Sequence, residues 1–249
     1  RAGVKTYHAG AIGEDGQFLL DFLKKAGVDT TYVSKTDEIR TGNAIIQTDK
    51  TGDNCILLFG GANQAISKHQ VDATLSCFDE GDFIVLQNEI NEMPYIIQKA
   101  HEKGMIIVLN PAPMNKKVSE MPLQLVDYLV VNEIEAAQLL ERTFSEEEDV
   151  VIADALVEKF PNTKIILTLG EKGSIYIEGK KRIIQEIYKT KVVDTTAAGD
   201  CFIGYFVAAI MQKKSVEEAM NLAAKASAIA VSKAGAAPSI PMMEEVLNH

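Results

Sequence analysis

Cysteine is scarce and badly placed for chemistry. Three occur, Cys55, Cys77 and Cys201, widely spaced and with no CxxC pair. That excludes a disulfide framework and a thiolate zinc site, and the three are expected to be buried thiols of a cytoplasmic protein in a reducing environment. Histidine is equally thin: His8, His69, His101 and His249 show no metal-ligand spacing. Basic residues are outnumbered, 25 Lys+Arg against 35 Asp+Glu, for a formal charge of −10. The densest basic stretches are only Lys180-Lys181-Arg182 and Lys213-Lys214. Nucleic acid and anionic membrane surfaces are therefore excluded as partners, because both are bound through clustered Lys and Arg. No apolar run approaches the ~20 residues needed to span a bilayer.

Familiar catalytic strings are missing as well. There is no GxxxxGK[ST] phosphate loop, no GxGxxG after a strand and no GxSxG elbow. His101-Glu102 begins like HExxH, but position 105 is Met. What is present is ample core material: 47% hydrophobic residues in 249, enough for one large domain or two small ones and too many for a disordered chain.

Short apolar runs alternate with helical patterns. Strands are expected at Thr6–Gly10, Phe83–Gln87, Ile106–Leu109, Tyr128–Val131, Lys164–Leu169 and Ser174–Ile177, and helices at Phe18–Ala26, Pro94–Lys103, Glu133–Leu140 and Ile152–Phe160. Runs such as Ile165-Ile166-Leu167 are apolar on both faces, the mark of parallel strands covered by helices on each side. The reading is α/β: an αβα three-layer, Rossmann-like sandwich on a mostly parallel sheet. Thr41–Thr48 and Asn54–Phe59, joined by Asp49-Lys50-Thr51-Gly52-Asp53, interrupt this rhythm as a β-hairpin suited to a lid or an oligomer contact. The core is thus expected in residues 1–39 and 61–249, with the lid at 40–60. After residue 190 the pattern is nearly all helical, with a buried helix over Gly199–Met211 and an Ala-rich one over Val216–Lys233.

The string with chemistry in it is Asp194-Thr195-Thr196-Ala197-Ala198-Gly199-Asp200, which follows the strand-like Lys191-Val192-Val193 and enters the buried helix. Small residues at a helix N-terminus leave backbone N–H groups and the positive end of the dipole open to an anion. A carboxylate in the same turn is electrostatically costly beside a phosphate unless it takes a proton from an attacking hydroxyl. The bland reading is an N-terminal acid complementing the dipole. Asn132 and Glu135, three apart after a strand, lie on one face of a first helical turn; they can be a capping box, a ligand pair or both.

Asp194–Asp200, continued by Cys201-Phe202, resembles the C-terminal signature of the ribokinase family of carbohydrate kinases, the phosphofructokinase-B type. The likeness runs along the chain through Gly13-Glu14-Asp15-Gly16, Gly60-Gly61-Ala62-Asn63, Leu109-Asn110-Pro111-Ala112-Pro113, Val131-Asn132-Glu133-Ile134-Glu135-Ala136, Leu167-Thr168-Leu169-Gly170 and Lys233-Ala234-Gly235-Ala236-Ala237-Pro238-Ser239. The resemblance implies an ATP-dependent sugar kinase, with D-ribose phosphorylated on its 5-hydroxyl. Kinases of deoxyribose, a sugar phosphate or a nucleoside, and an inactive nucleotide-binding fragment, are the alternatives.

By the same resemblance Asp200 is the base, with Ala197, Ala198 and Gly199 as the anion hole. Asn132 and Glu135 would hold Mg²⁺ through water. ATP would meet Asn132, Thr168, Leu169, Gly170, Glu171, Lys172, Gly173, Gly199, Asp200 and Ala224, the last where relatives often carry Asn or His. A K⁺ ion would take oxygens of Asp194, Thr196, Ala230, Lys233, Gly235 and Ser239. The sugar would be held by Glu89 and Asp200 and covered by the lid from Thr41 and Gly42, and lids shared between subunits would make a homodimer. The family's sugar-gripping first strand and its Gly-Gly-Lys-Gly-x-Asn loop have no counterpart here. Arg1-Ala2-Gly3-Val4 matches the family just beyond that loop, so the expectation is that several dozen residues precede it.

Overall fold

The computed structural model describes residues 1–48, 54–143 and 149–248. It divides into two compact units, residues 5–126 and residues 1–4 with 127–249.

The unit of residues 5–126 opens on β1 (Tyr7–Gly13), α1 (Gln17–Lys25) and β2 (Asp29–Thr36), with β1 and β2 paired parallel from Tyr7↔Asp29 to Gly13↔Thr36. Then come β3 (Asn43–Thr48) and β4 (Asn54–Phe59), paired antiparallel and in register. α2 (Lys68–Leu75), β5 (Phe83–Gln87), α3 (Met93–Glu102) and β6 (Ile106–Asn110) follow, with β5 and β6 parallel. Ile107, Val108 and Leu109 of β6 are buried, as a strand covered on both faces requires.

The other unit holds β7 (Tyr128–Asn132), α4 (Glu133–Leu140), α5 (Asp149–Lys159), β8 (Lys164–Thr168), β9 (Ser174–Glu178), β10 (Lys181–Gln185), α6 (Ala198–Met211), α7 (Val216–Val231) and α8 (Met243–Asn248). β7 and β8 are parallel; β9 turns back antiparallel on β8, and β10 on β9. Ile165, Ile166 and Leu167 are wholly buried, in line with their unbroken apolar run. α6 packs on α7, which carries a stripe of fully buried alanines, Ala219, Ala223, Ala226 and Ala230, whose spacing puts small side chains on one face of the helix. Phe206 of α6 is the aromatic centre of this core. Its ring lies 5.8 Å from Tyr128, 6.4 Å from Tyr176 and 6.5 Å from Phe202. Burying such a ring contributes about 1.5–3 kcal/mol.

Most expected elements are present within one or two residues, and four points differ. β2, α2, β10 and α8 were not anticipated, because Asp29–Thr36, Lys68–Leu75 and Lys181–Gln185 are too polar to show a clear period and Met243–Asn248 is too short for one. Lys191–Val193 is not a strand: the N–H groups of Val193 and Asp194 both go to the Val231 carbonyl at the end of α7, and Val192 and Val193 are exposed. Cys77 is exposed rather than buried, whereas Cys201 is buried as expected. The hairpin begins at Asn43, not Thr41. Its expected turn, 49–53, and the Cys55 side chain lie outside the described residues. No helix among the described residues is long and apolar enough to cross a membrane.

Candidate functional site

The head of α6 is built by its flanking loop. Ala197, the N-cap, adopts a left-handed backbone (φ 62, ψ 13), which turns the chain sharply from Thr196 into the helix. Cys201 N–H closes the first turn on the Ala197 carbonyl at 2.9 Å, and Ala198 N–H turns back to Thr195 O at 3.2 Å. One of the three backbone donors expected in the anion hole is therefore engaged within the loop. A Cβ at Gly199 would meet nothing within 4 Å, so the space above this turn is open. Asp200 is exposed beside it, while its neighbour Cys201 is buried and has its thiol pushed up to about 12 by that burial. From α7, Ser227 Oγ donates to the Ala198 carbonyl at 3.0 Å and holds the head of α6 in place, a contact that no sequence signal announced.

Asp194 fixes the loop before α6. Its carboxylate accepts from Thr196 N–H and Gly235 N–H, both at 2.9 Å. The Thr196 hydroxyl and these two N–H groups hold its carboxyl below the usual range. The bonds bring Asp194, Thr196 and Gly235, three of the six expected K⁺ ligands, into direct contact. Among the others, Lys233 N–H donates to the Ala230 carbonyl at 3.1 Å, and Lys233 Nζ pairs with Glu245 at 2.6 Å. Ser239 is buried, with its hydroxyl donating to Ala236 O at 2.7 Å. Arg1 brackets this segment from outside, its guanidinium donating to the carbonyls of Pro238 and Ile240. The donors offered here are carboxylate, hydroxyl and carbonyl oxygens, the set that suits a hard cation.

Asn132 and Glu135 form a reciprocal capping box. Asn132 Oδ1 accepts from Glu135 N–H at 2.8 Å, and Glu135 Oε2 accepts from Asn132 N–H at 3.0 Å. Capping locks both groups at the C-terminal end of β7, where parallel strands present ligand-binding residues. Among the described residues no three His, Cys, Asp or Glu side chains cluster to hold a metal. An ion here fits only the mode that Mg²⁺ favours, oxygen donors few in number with water completing the shell.

Thr168 ends β8 and Gly170–Lys172 make one 3₁₀ turn, closed by Leu169 N–H to Gly173 O at 2.8 Å. Gly173 is obligatory: its φ is +98, and a Cβ would stand 2.1 Å from the Gln185 carbonyl. Glu171 is exposed, and Lys172 pairs with Asp149 at the start of α5, 3.1 Å away. Ala224 lies half-buried on α7. One turn to its N-terminal side, Asn221 Nδ2 donates to the Tyr188 hydroxyl at 2.9 Å, and the next residue's Lys225 Nζ stands 5.5 Å from the Tyr188 ring centre. Tyr188, which the sequence did not flag, thus meets α7 through residues on either side of Ala224.

Residues 5–126 carry the remaining candidates. Thr41 is buried at the hairpin base, and Asp15 accepts from its N–H at 2.9 Å and from its hydroxyl at 2.7 Å. Gly13 N–H donates to the same hydroxyl at 3.0 Å. Thr41 N–H, the Thr41 hydroxyl and then Arg40 hold the Asp15 carboxyl down at about 2. The Thr41 side chain is thus committed to anchoring the hairpin. At Gly42 a Cβ would lie 2.5 Å from Gly60 O, so the two hairpin legs touch backbone to backbone. Glu89 is exposed on the loop after β5, and its carbonyl accepts from Gln64 Nε2 at 3.1 Å.

A family model described as pfkB family carbohydrate kinase matches residues 1–243. The chain is 36% identical over 243 residues to a ribokinase of Staphylococcus aureus (strain COL), covering 94% of this chain and 79% of that one. Its fold is similar to that of a ribokinase of Cryptococcus neoformans var. grubii in complex with ADP, with TM-score 0.88, 31% identity and coverage of 99% and 83%. It is also similar to a ribokinase of Arabidopsis thaliana complexed with ribose and ATP, with TM-score 0.84, 30% identity and coverage of 98% and 81%.

Proposed function

The chain belongs to the pfkB family of carbohydrate kinases, and from that premise we propose that it transfers the ATP γ-phosphoryl group to the 5-hydroxyl of D-ribose, giving D-ribose 5-phosphate and ADP. The observation that carries this reading is the head of α6: an exposed carboxylate, Asp200, beside an open, glycine-bearing helix N-terminus. Phosphoryl transfer asks a protein for positioning and charge stabilisation rather than covalent chemistry. Asp200 takes the proton of the attacking hydroxyl. The backbone of Ala197 and Gly199, with Ala198 once its N–H leaves Thr195 O, receives negative charge developing on the transferred group. The turn of residues 168–173, with Ala224, holds the nucleotide, and Glu89 accepts hydrogen bonds from the sugar.

Mg²⁺ bound with the nucleotide neutralises phosphate charge, and Asn132 and Glu135 would hold it through water. K⁺ would be held by oxygens of Asp194, Thr196, Ala230, Lys233, Gly235 and Ser239. Equal turnover in K⁺ and in a bulky organic cation would remove it from the account. The hairpin acts as a lid from Thr41 and Gly42, and its exposed Ile45, Leu57, Leu58 and Phe59 support a homodimer formed through it in the cytoplasm. A monomer in scattering at micromolar concentration would refute the dimer.

The deciding assay is ADP release with D-ribose, set beside 2-deoxyribose, fructose 6-phosphate and a nucleoside. Ribose-dependent release with phosphate on O5 is expected. Release with another acceptor and none with ribose would overturn the assignment.

A further inference from the structure

We propose that Asn91 and Gln64 are positioning residues that aim the Glu89 carboxylate at the sugar, an inference that rests on the reading of Glu89 as a sugar-binding group. The loop from β5 to α3 is short and polar, and nothing in its sequence fixes its path. The structure fixes it at several points. Asn88 N–H donates to Ala112 O at 2.9 Å, and Asn88 Nδ2 donates to Pro113 O at 2.7 Å. Beyond Glu89, the Asn91 amide pairs with both backbone groups of the buried Ile66: Oδ1 accepts from Ile66 N–H at 2.9 Å, and Nδ2 donates to Ile66 O at 2.8 Å. Asn91 N–H donates to Asn63 O at 3.1 Å. The Asn91 side chain thus does what a neighbouring strand would do, and only an amide of this length supplies the donor and acceptor together.

Gln64 closes the other side of the loop. Its Nε2 donates to the Glu89 carbonyl at 3.1 Å, and its Oε1 accepts from Lys117 Nζ at 3.2 Å, which fixes which end of the amide faces Glu89. Immediately after Asn91 the chain enters α3 through Glu92 in a left-handed conformation (φ 61), a cap with no side-chain hydrogen bond. A non-glycine residue held there costs free energy that its surroundings must offset, and the Asn91–Ile66 pairing is the adjacent contact able to do so. Glu89 therefore sits between two tethers on a backbone that has little freedom left, as a carboxylate that must meet sugar hydroxyls at hydrogen-bond distance requires.

The test is a set of double-variant cycles read as ribose KM, ribose Kd by calorimetry, kcat and ATP KM. Asn91→Ala is expected to raise ribose KM and Kd about tenfold, and Gln64→Ala about threefold, with kcat and ATP KM within about twofold. In a Glu89→Gln background neither substitution should weaken ribose further, because the group they aim is gone. A merely structural role would lower the thermal midpoint and act equally in both backgrounds, and that result overturns the proposal. Gln64 is exposed, so Gln64→Ala carries the test should Asn91→Ala fail to fold. If Glu89→Gln alone leaves ribose binding unchanged, the reading of Glu89 is wrong and the proposal falls with it. If Glu89→Gln weakens ribose while both tether variants bind it normally, only the proposal falls.

Discussion

Under the proposed function, the loop ahead of α6 and the loop behind β5 do comparable work by opposite means. Around Asp194–Asp200 the proposed working surface is backbone, at a turn of alanine and glycine, and side chains such as Asp194 and Ser227 hold that backbone still. Around Glu89 the proposed working group is a side chain, and amides of Asn91 and Gln64 hold its loop. A backbone site demands small residues in unbroken order, because any Cβ in the wrong place blocks it. A side-chain site demands only that one carboxylate be aimed, and many tethers can do that. The first kind is rigid in sequence and the second is free to vary.

The sharpest way to break this comparison is at Asp200, the side chain proposed to take the proton at the head of α6. Asp200→Asn is expected to lower kcat by about 10³-fold while nucleotide binding stays within a few-fold, as loss of a general base does. Turnover near normal would leave the head of α6 as a capped helix end and nothing more.

Gly199→Ala probes the backbone itself. Because an added Cβ meets nothing within 4 Å, the fold should tolerate it, with a thermal midpoint unchanged or slightly raised. Activity should nevertheless fall by about 10–100-fold, since the methyl group would stand where an anion approaches. Unchanged activity would move the anion elsewhere. Gly173→Ala makes the opposite pairing of effects: its Cβ would collide with the Gln185 carbonyl at 2.1 Å in a left-handed backbone, so a loss of about 2–4 kcal/mol in stability is expected by denaturant titration.

The same contrast explains what could be read from the residues. Strands such as Ile165–Leu167 and helices such as α6 announce themselves because burial fixes their composition on every face. β10 does not, since Ile183 and Ile184 are its only apolar residues and Ile184 is exposed. Lys191–Val193 misled because two valines in a row imitate a strand, whereas here they lie against the end of α7 with their side chains exposed. Among the candidate residues, the helix start at the small-residue string and the Asn132/Glu135 capping box were legible because each pattern is a local physical requirement. Ser227, Tyr188, Asn91 and Gln64 were not. Each meets a partner about 25 to 33 residues away, and no local pattern encodes such a pairing.

The smallest expected effect sits at the hairpin base, where Asp15 repeats the device that Asp194 uses ahead of α6. Asp15 and Asp194 each use a carboxylate to tie down a loop, Asp15 through the N–H and hydroxyl of Thr41 and Asp194 through the N–H groups of Thr196 and Gly235, and each is held below the usual carboxylate range by doing so. For Asp15 the folded value is about 2 against 3.8 for the free group, so ionisation favours the folded chain. Its contribution is complete above about pH 4 and is lost as pH falls through about 2, because the unfolded chain takes up the proton first. Wild-type protein should thus lose thermal stability across pH 4 to 2 partly through this group. Asp15→Asn keeps the shape but removes the charge, so it should be slightly less stable at pH 7 and show a flatter profile in that acid window. Amide exchange at Thr41 N–H, which Asp15 accepts at 2.9 Å, reports the same loss locally. Parallel pH profiles for wild type and variant would assign the acid sensitivity to other carboxylates and leave Asp15 as a neutral tether.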